Sequence, residues 1–225
     1  MIRLAMSELQ LRDLLIRQLS SLYFLNEAEA ETLEGVLPKG LERCEVCFSH
    51  VRNKYYSDNG GCTNLDPLHG CQHAFLLYTL ARCIYLQEGS LPLCDKLYGL
   101  LRMMASVDLF YQVELPGIFT FDHPLGTVMG RARYSDYFSF SQGCTVGNNH
   151  GEYPSFGESV FMLSNSKVLG GCEIGSHVII SANTYIKDTD IPSGSIVFGQ
   201  SPNLVIKTGR EDYVREYAEG IFRYE

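Results

Sequence analysis

VFMLSNSKVLGGCEIGSHVIISANTYIK, residues 160–187, is the stretch whose reading decides the fold. Met162, Val168, Ile174, Ile180 and Ile186 recur at every sixth position, a period that fits neither the 3.6 of a helix nor the 2 of an alternating strand. Two residues before each stand small or apolar side chains: Val160, Ser166, Cys172, Val178 and Thr184. A hexapeptide repeat of this kind marks a parallel β-helix, in which each short strand forms one face of a coil and points its aliphatic residue inward. Stacked coils bury a continuous apolar column that no single repeat could bury alone.

Upstream, the same period runs through Val128, Tyr134, Phe140 and Val146, with Gly126, Ala132, Phe138 and Cys144 two residues before them. A four-residue slip then separates Val146 from Phe156, so GNNHGEYP (147–154) is expected to leave the coil as a loop. Downstream, Val214, Tyr217, Ala218 and Ile221 have helical spacing and predict a C-terminal helix that caps the open end of the coil.

The N-terminal half has a different pattern. Leu11, Leu14, Leu15, Leu19 and Leu22 give an amphipathic helical region over 7–37, and polar and glycine residues make 50–65 a loop. Asp66-Pro67 supplies an N-cap acceptor and a first-turn proline for a helix that runs to Tyr85 and is stopped by Gly89, and a further helix is expected over 91–109. The fold class is therefore α+β. An α-helical domain (1–112) is followed by a left-handed parallel β-helix of hexapeptide repeats (113–207) and a C-terminal helix (208–225), the handedness being implied by the resemblance described below.

Composition narrows the function. A formal charge of −8 without a lysine or arginine block argues against nucleic acid or an anionic membrane as partner. No segment approaches the ~20 apolar residues of a membrane span, and the charged N-terminus lacks the apolar run of a signal peptide, so a cytoplasmic protein is expected. Its eight cysteines are then expected to be reduced. Cys44 and Cys47 have the spacing of half a zinc site, but no second pair follows at a suitable distance, so they are expected to be structural thiols and no metal is expected.

From about Asp66 to Lys207 the chain resembles the serine acetyltransferases, within the hexapeptide-repeat acyltransferases. His73-Ala74 with Tyr78 is similar to the family's last N-terminal helices, Asp122-His123-Pro124-Leu125-Gly126-Thr127-Val128-Met129-Gly130 looks like its DHxxGxVxG motif, and 160–186 follows its repeats without a gap. The resemblance implies a left-handed β-helix, acetyl-CoA as donor, a homotrimer or dimer of trimers, and active sites in clefts between neighbouring coils.

The chemistry agrees with it. An alcohol attacking a thioester needs a base that takes its proton as the bond forms, and histidine titrates in the right range. The resemblance places that base at His123. A lone histidine is more often hydrogen-bonded in a turn, and it is the surrounding motif that favours catalysis here. A carboxylate partner would orient the imidazole and stabilise its protonated form. Glu114, in a segment similar to the one carrying the family's dyad aspartate but about one hexapeptide closer to the base, is one candidate, and Asp122 is the other. Asp122 also matches a position that contacts the acceptor, as does Asp66, for which an N-cap is an equally complete explanation.

By the same resemblance Gly147, Asn148, Ser164 and Ala182 lie on the pantetheine path, with Lys187 and Lys207 available to the CoA phosphates. Gly199-Gln200-Ser201-Pro202 looks like a lengthened closing turn. The loop departs from the family pattern: an Arg-His-Pro that helps hold the acceptor carboxylate is replaced by Glu152-Tyr153-Pro154, with His150 nearby. Losing a guanidinium and gaining a carboxylate disfavours an anionic acceptor group, and Arg131 and Arg133 lie on a different repeat. A sugar or polysaccharide-precursor hydroxyl, met by His150, Glu152 and Tyr153, is therefore the expected acceptor. L-serine, as in cysteine biosynthesis, is the alternative, and an inactive β-helix serving as a binding or assembly module is the alternative from another class.

Overall fold

The computed structural model describes residues 2–58 and 62–224, so Asn59-Gly60-Gly61 of the expected loop lie outside the described residues. The chain divides into two compact units, Met1–Gln112 and Val113–Glu225.

In the first unit, a two-residue strand β1 (Arg3–Leu4) leads into α1 (Glu8–Leu22) and α2 (Glu27–Ser49). Both helices begin in capping boxes, Ser7 with Gln10 and Asn26 with Glu29, and the second box is the signal that divides the apolar repeat of 7–37. Cys44 and Cys47 are buried on α2. β2 (Asn64–Leu65), within the segment read as loop, pairs in parallel with β1.

Asp66 does not cap the following helix. α3 (Gly70–Leu86) starts later, with His69 as its N-cap, and the Asp66 Oδ1 instead accepts from the Leu68 amide at 2.9 Å. Pro67, whose fixed φ suits the second position of a turn, explains the difference: the His69 amide donates to the Asp66 carbonyl at 2.9 Å and closes a turn ahead of the helix. α3 is apolar nearly all round and packs against both α2 and α4 (Leu91–Ala105). Its approach to α2 is close enough that a Cβ at Gly40 would run into the Leu80 side chain. α3 also buries His73, whose two ring nitrogens have no hydrogen-bond partner among the described residues, and burial pushes the pKa of this imidazole down to about 4. α4 stops short of the expected 109 because Ser106 adopts a left-handed conformation (φ 51°) and Val107–Leu109 form β3, whose alternating burial follows the strand period.

The second unit is the β-helix. Its strands are β4 (Phe119–Phe121), β5 (Thr127–Met129), β6 (Phe138–Phe140), β7 (Thr145–Gly147), β8 (Ser155–Phe156), β9 (Val160–Met162), β10 (Lys167–Leu169), β11 (Glu173–Ile174), β12 (Val178–Ile180), β13 (Tyr185–Lys187), β14 (Ser195–Gln200) and β15 (Asn203–Lys207). All of them except β15 stack in parallel as three faces. On the first, β4, β6, β9, β12 and β14 align Phe121, Phe140, Met162, Ile180 and Val197 in one inward column. On the second, β5, β7, β10 and β13 align Met129, Val146, Val168 and Ile186. On the third, Phe156 of β8, Ile174 of β11 and Ile191 stack, with the Tyr134 ring parallel to Phe156 at 5.3 Å.

The six-residue period therefore holds from Tyr134 to Ile186, with the slip at the expected loop. In the first coil it is out of register by one: Met129 is buried, while Val128 is 41% exposed. The corner between β5 and the third face is one residue shorter than a hexapeptide, five positions separating the inward Met129 from Tyr134, and this shifts the count.

After the hairpin of β14 and antiparallel β15, α5 (Glu211–Ile221) begins. It does not lie across the open end of the coil. Val214, Ala218 and the following Phe222 are buried, and α5 runs along the outside of the first face against β12 and β14. There it covers Phe161 and Ile179, which point away from the column yet are only 1% and 4% exposed. The Phe161 ring meets Tyr217 edge-on at 5.1 Å, and the Tyr224 hydroxyl shares a 2.8 Å hydrogen bond with Ser159. These outward apolar residues are the reason the helix takes this place. No helix among the described residues is long and apolar enough to cross a membrane.

Candidate active site

His123 sits at the edge where the first face turns into the second. It is held in a left-handed conformation (φ 46°) by a tight corner, in which its carbonyl accepts from the Leu125 amide at 2.7 Å and that of Pro124 from the Thr127 amide at 3.2 Å. The Asp122 amide donates to the Phe140 carbonyl at 3.1 Å and ties this corner to the coil beneath. Both side chains project into solvent, 76% exposed for His123 and 78% for Asp122, with the imidazole Nε2 3.5 Å from Asp122 Oδ1. Of the two carboxylates named for the base, Asp122 is thus in contact range. Glu114 is exposed in the segment before β4.

Hydrogen bonds between successive corners continue this edge downward. The Gly143 amide donates to the Leu125 carbonyl at 2.9 Å, Asn165 to Gln142 at 2.8 Å and Asn183 to Ser164 at 2.9 Å. Ser164 and Ala182 therefore stack beneath His123. The other donor-site candidates do not. Gly147, Asn148 and Lys187 lie on the next edge, where the second face turns into the third and where the Gly170 amide donates to the Gly147 carbonyl at 3.0 Å. The width of a face, roughly 15 Å at about 3.3 Å per residue, separates the two edges. Lys207 ends β15, with its Nζ 5.1 Å from the centre of the Phe198 ring. Asp66 belongs to the first unit.

The loop 147–154 is a built element. Asn149 and Glu152 exchange backbone hydrogen bonds of 3.1 and 3.0 Å around His150 (φ 51°) and Gly151 (φ 86°), the two positive φ values of a type I′ hairpin. The Asn149 Nδ2 donates to Asp188 Oδ2 at 2.6 Å, and Asp188 Oδ1 accepts from the Gly171 amide at 3.3 Å. A side chain at Gly170 would collide with the Asp188 carboxylate, so this glycine lets the hairpin lie against the stack. His150, Glu152 and Tyr153 are exposed on it.

Two further residues of this region are partners of the loop. One is Asp188. The other is Arg133, which pairs in parallel with Ser155 directly after the loop: its amide donates to the Pro154 carbonyl at 3.2 Å, and its carbonyl accepts from the Phe156 amide at 2.8 Å. The signal was countable. Arg133 and Ser155 are 22 residues apart, three hexapeptides plus the four-residue slip, and so share a face in adjoining coils. No cluster of side chains suited to a metal ion occurs among the described residues.

No family model matches the chain. Among curated proteins it is 30% identical over 143 residues to a serine acetyltransferase of Synechococcus elongatus, covering 60% of this chain and 57% of that protein. It is 33% identical over 94 residues to one of Staphylococcus epidermidis, covering 40% and 44%. The chain thus spans about half the length of these relatives. Among solved structures it superposes on the Neisseria gonorrhoeae serine acetyltransferase with a TM-score of 0.62 at 23% identity, covering 82% of this chain and 74% of that one. It also superposes on a serine acetyltransferase in complex with CoA with a TM-score of 0.61 at 20% identity, covering 80% and 74%. These comparisons do not support a sugar acceptor: each of these proteins is named a serine acetyltransferase. In sequence and in fold, the chain is similar to the serine acetyltransferases and shares their parallel β-helix.

Proposed function

We propose that this chain is an acetyl-CoA-dependent O-acetyltransferase acting on the hydroxyl of L-serine or a close analogue. The observation that carries the proposal is the exposed Asp122-His123 corner heading an edge on which Ser164 and Ala182 stack, within a sequence similar to serine acetyltransferases. A relative solved with CoA supports the donor. His123 takes the hydroxyl proton as the oxygen attacks the thioester carbonyl, and collapse of the tetrahedral adduct expels the CoA thiolate, which receives that proton from the imidazolium. Asp122 stabilises the imidazolium, with Glu114 as the alternative partner.

The two edges favour a site shared between copies. Ser164 and Ala182 line one edge and Gly147, Asn148 and Lys187 the next, so residues of both reach one extended pantetheine chain when two copies pack edge to edge. Lys187 and Lys207 then supply charge to the phosphates, and His150, Glu152 and Tyr153 of one copy face the His123 of its neighbour. A homotrimer closes three such clefts by one repeated contact. The test is CoA release from acetyl-CoA and L-serine, followed as the protein is diluted through its association range. Specific activity is expected to fall as copies separate. A fully active monomer, shown by light scattering, would contradict the shared site, and absence of CoA release at any concentration would contradict the function.

A further inference from the structure

Resting on that reading, we infer that Arg133 and Glu152 form a pair of opposite charges that recognises the acceptor as a zwitterion, Arg133 taking its α-carboxylate and Glu152 its α-ammonium. Glu152 in place of a loop cation argues from sequence against an amino-acid acceptor. The register of the coils reverses that argument. Arg133 lies opposite Ser155, three residues past Glu152, and adjoining strands are about 4.8 Å apart, so the guanidinium arises one coil above the segment that closes the hairpin.

Three observations support a binding role. The Arg133 backbone is fixed on both sides by its hydrogen bonds to Pro154 and Phe156, which anchors the root of the side chain to the hairpin's end. The side chain is exposed and makes no ion pair among the described residues, so its charge is available. Below it on the third face the outward positions are Ser155 and Glu173, leaving Arg133 at the head of a column that is otherwise neutral or acidic. Glu152, exposed on a hairpin clamped by Asp188, supplies the opposite sign nearby. A guanidinium binds a carboxylate through two parallel hydrogen bonds, whereas an uncharged polyol gives it no such partner.

The test compares specificity constants for L-serine, for L-serinamide, which lacks the carboxylate, and for 3-hydroxypropionate, which lacks the ammonium. The wild-type chain is expected to prefer L-serine to both. R133Q should lower the constant for L-serine about ten- to a hundredfold, the range for a charged hydrogen bond, and leave that for L-serinamide unchanged. E152Q should do the same relative to 3-hydroxypropionate. R131Q is the control for bulk charge. Wild-type turnover of L-serine with both ratios intact in R133Q and E152Q would overturn the charge pair and leave the proposed activity standing, as would an R131Q effect equal to that of R133Q. No CoA release from any of the three acceptors in the wild type would overturn the activity itself.

Discussion

The side-chain amide of Asn149 donates to the Asp188 carboxylate at 2.6 Å, joining the tip of a hairpin to a coil corner 39 residues away. The same carboxylate holds the Gly171 amide, so one acidic group fixes both the hairpin and the stack beneath it. The hairpin is thereby a rigid platform for His150, Glu152 and Tyr153. Asp188→Ala is expected to raise the KM for the acceptor about three- to tenfold, the worth of one net hydrogen bond, with the KM for acetyl-CoA unchanged. Asp188→Asn keeps an acceptor oxygen for Asn149 and should restore most of the loss. Equal KM values in all three proteins would show that the clamp has no bearing on the acceptor.

Removal of the base gives the second prediction. His123→Ala is expected to lower turnover by about two to four orders of magnitude while acetyl-CoA affinity, measured by titration, stays the same. The side chain is exposed and its corner is held by backbone hydrogen bonds, so the fold should survive the change. Asp122→Asn and Glu114→Gln, made separately, identify the partner by which one costs more turnover. Parallel loss of acetyl-CoA binding in His123→Ala would make the histidine structural.

Much of this was legible in the sequence, because a β-helix repeats one local rule. Once Met162, Val168, Ile174, Ile180 and Ile186 set the period, the inward column and the slip at the loop followed. What escaped was non-local or set by corners. Subtracting six from Tyr134 points Val128 inward, but the corner crossed spans only five positions, and Pro67 suits a turn as well as a helix start, so Asp66 reads as a cap. The apolar stripe of α5 does not say what it covers, and only the outward Phe161 and Ile179 do. Arg133 and Glu152 lie on separate repeats in the sequence, although residues a full coil apart are neighbours.

The register of the first coil yields a stability test. Phe140 is fully buried in the first-face column, and Phe140→Ala should cost about 3–5 kcal/mol. Val128, read from the repeat as equivalent but exposed here, should cost less than about 1 kcal/mol on replacement by alanine. Denaturant unfolding of the two variants distinguishes the registers, and equal losses would mean that Val128 faces the core.

His73 gives a pH dependence with a defined sign. Its imidazole is neutral in the folded chain down to about pH 4, against 6.5 for an ordinary histidine. Above pH 6.5 both states are neutral and nothing is lost. As pH falls from there towards 4 the unfolded chain binds a proton that the folded chain refuses, so stability declines, by roughly 3 kcal/mol at about 1.4 kcal/mol per pH unit. His73→Leu removes both the proton site and two unpaired ring nitrogens. Its melting temperature should therefore vary less between pH 7 and pH 4.5 than that of the wild type, and an identical pH profile would contradict the buried neutral state.

The most direct measurement of the central claim is a competition. The chain is given isotope-labelled acetyl-CoA with equimolar L-serine and a panel of sugars and nucleotide sugars, and the products are identified by mass spectrometry. The account predicts label on the hydroxyl of L-serine, dependent on His123. Label on a sugar with none on L-serine, or CoA release with no acetylated product, would contradict it.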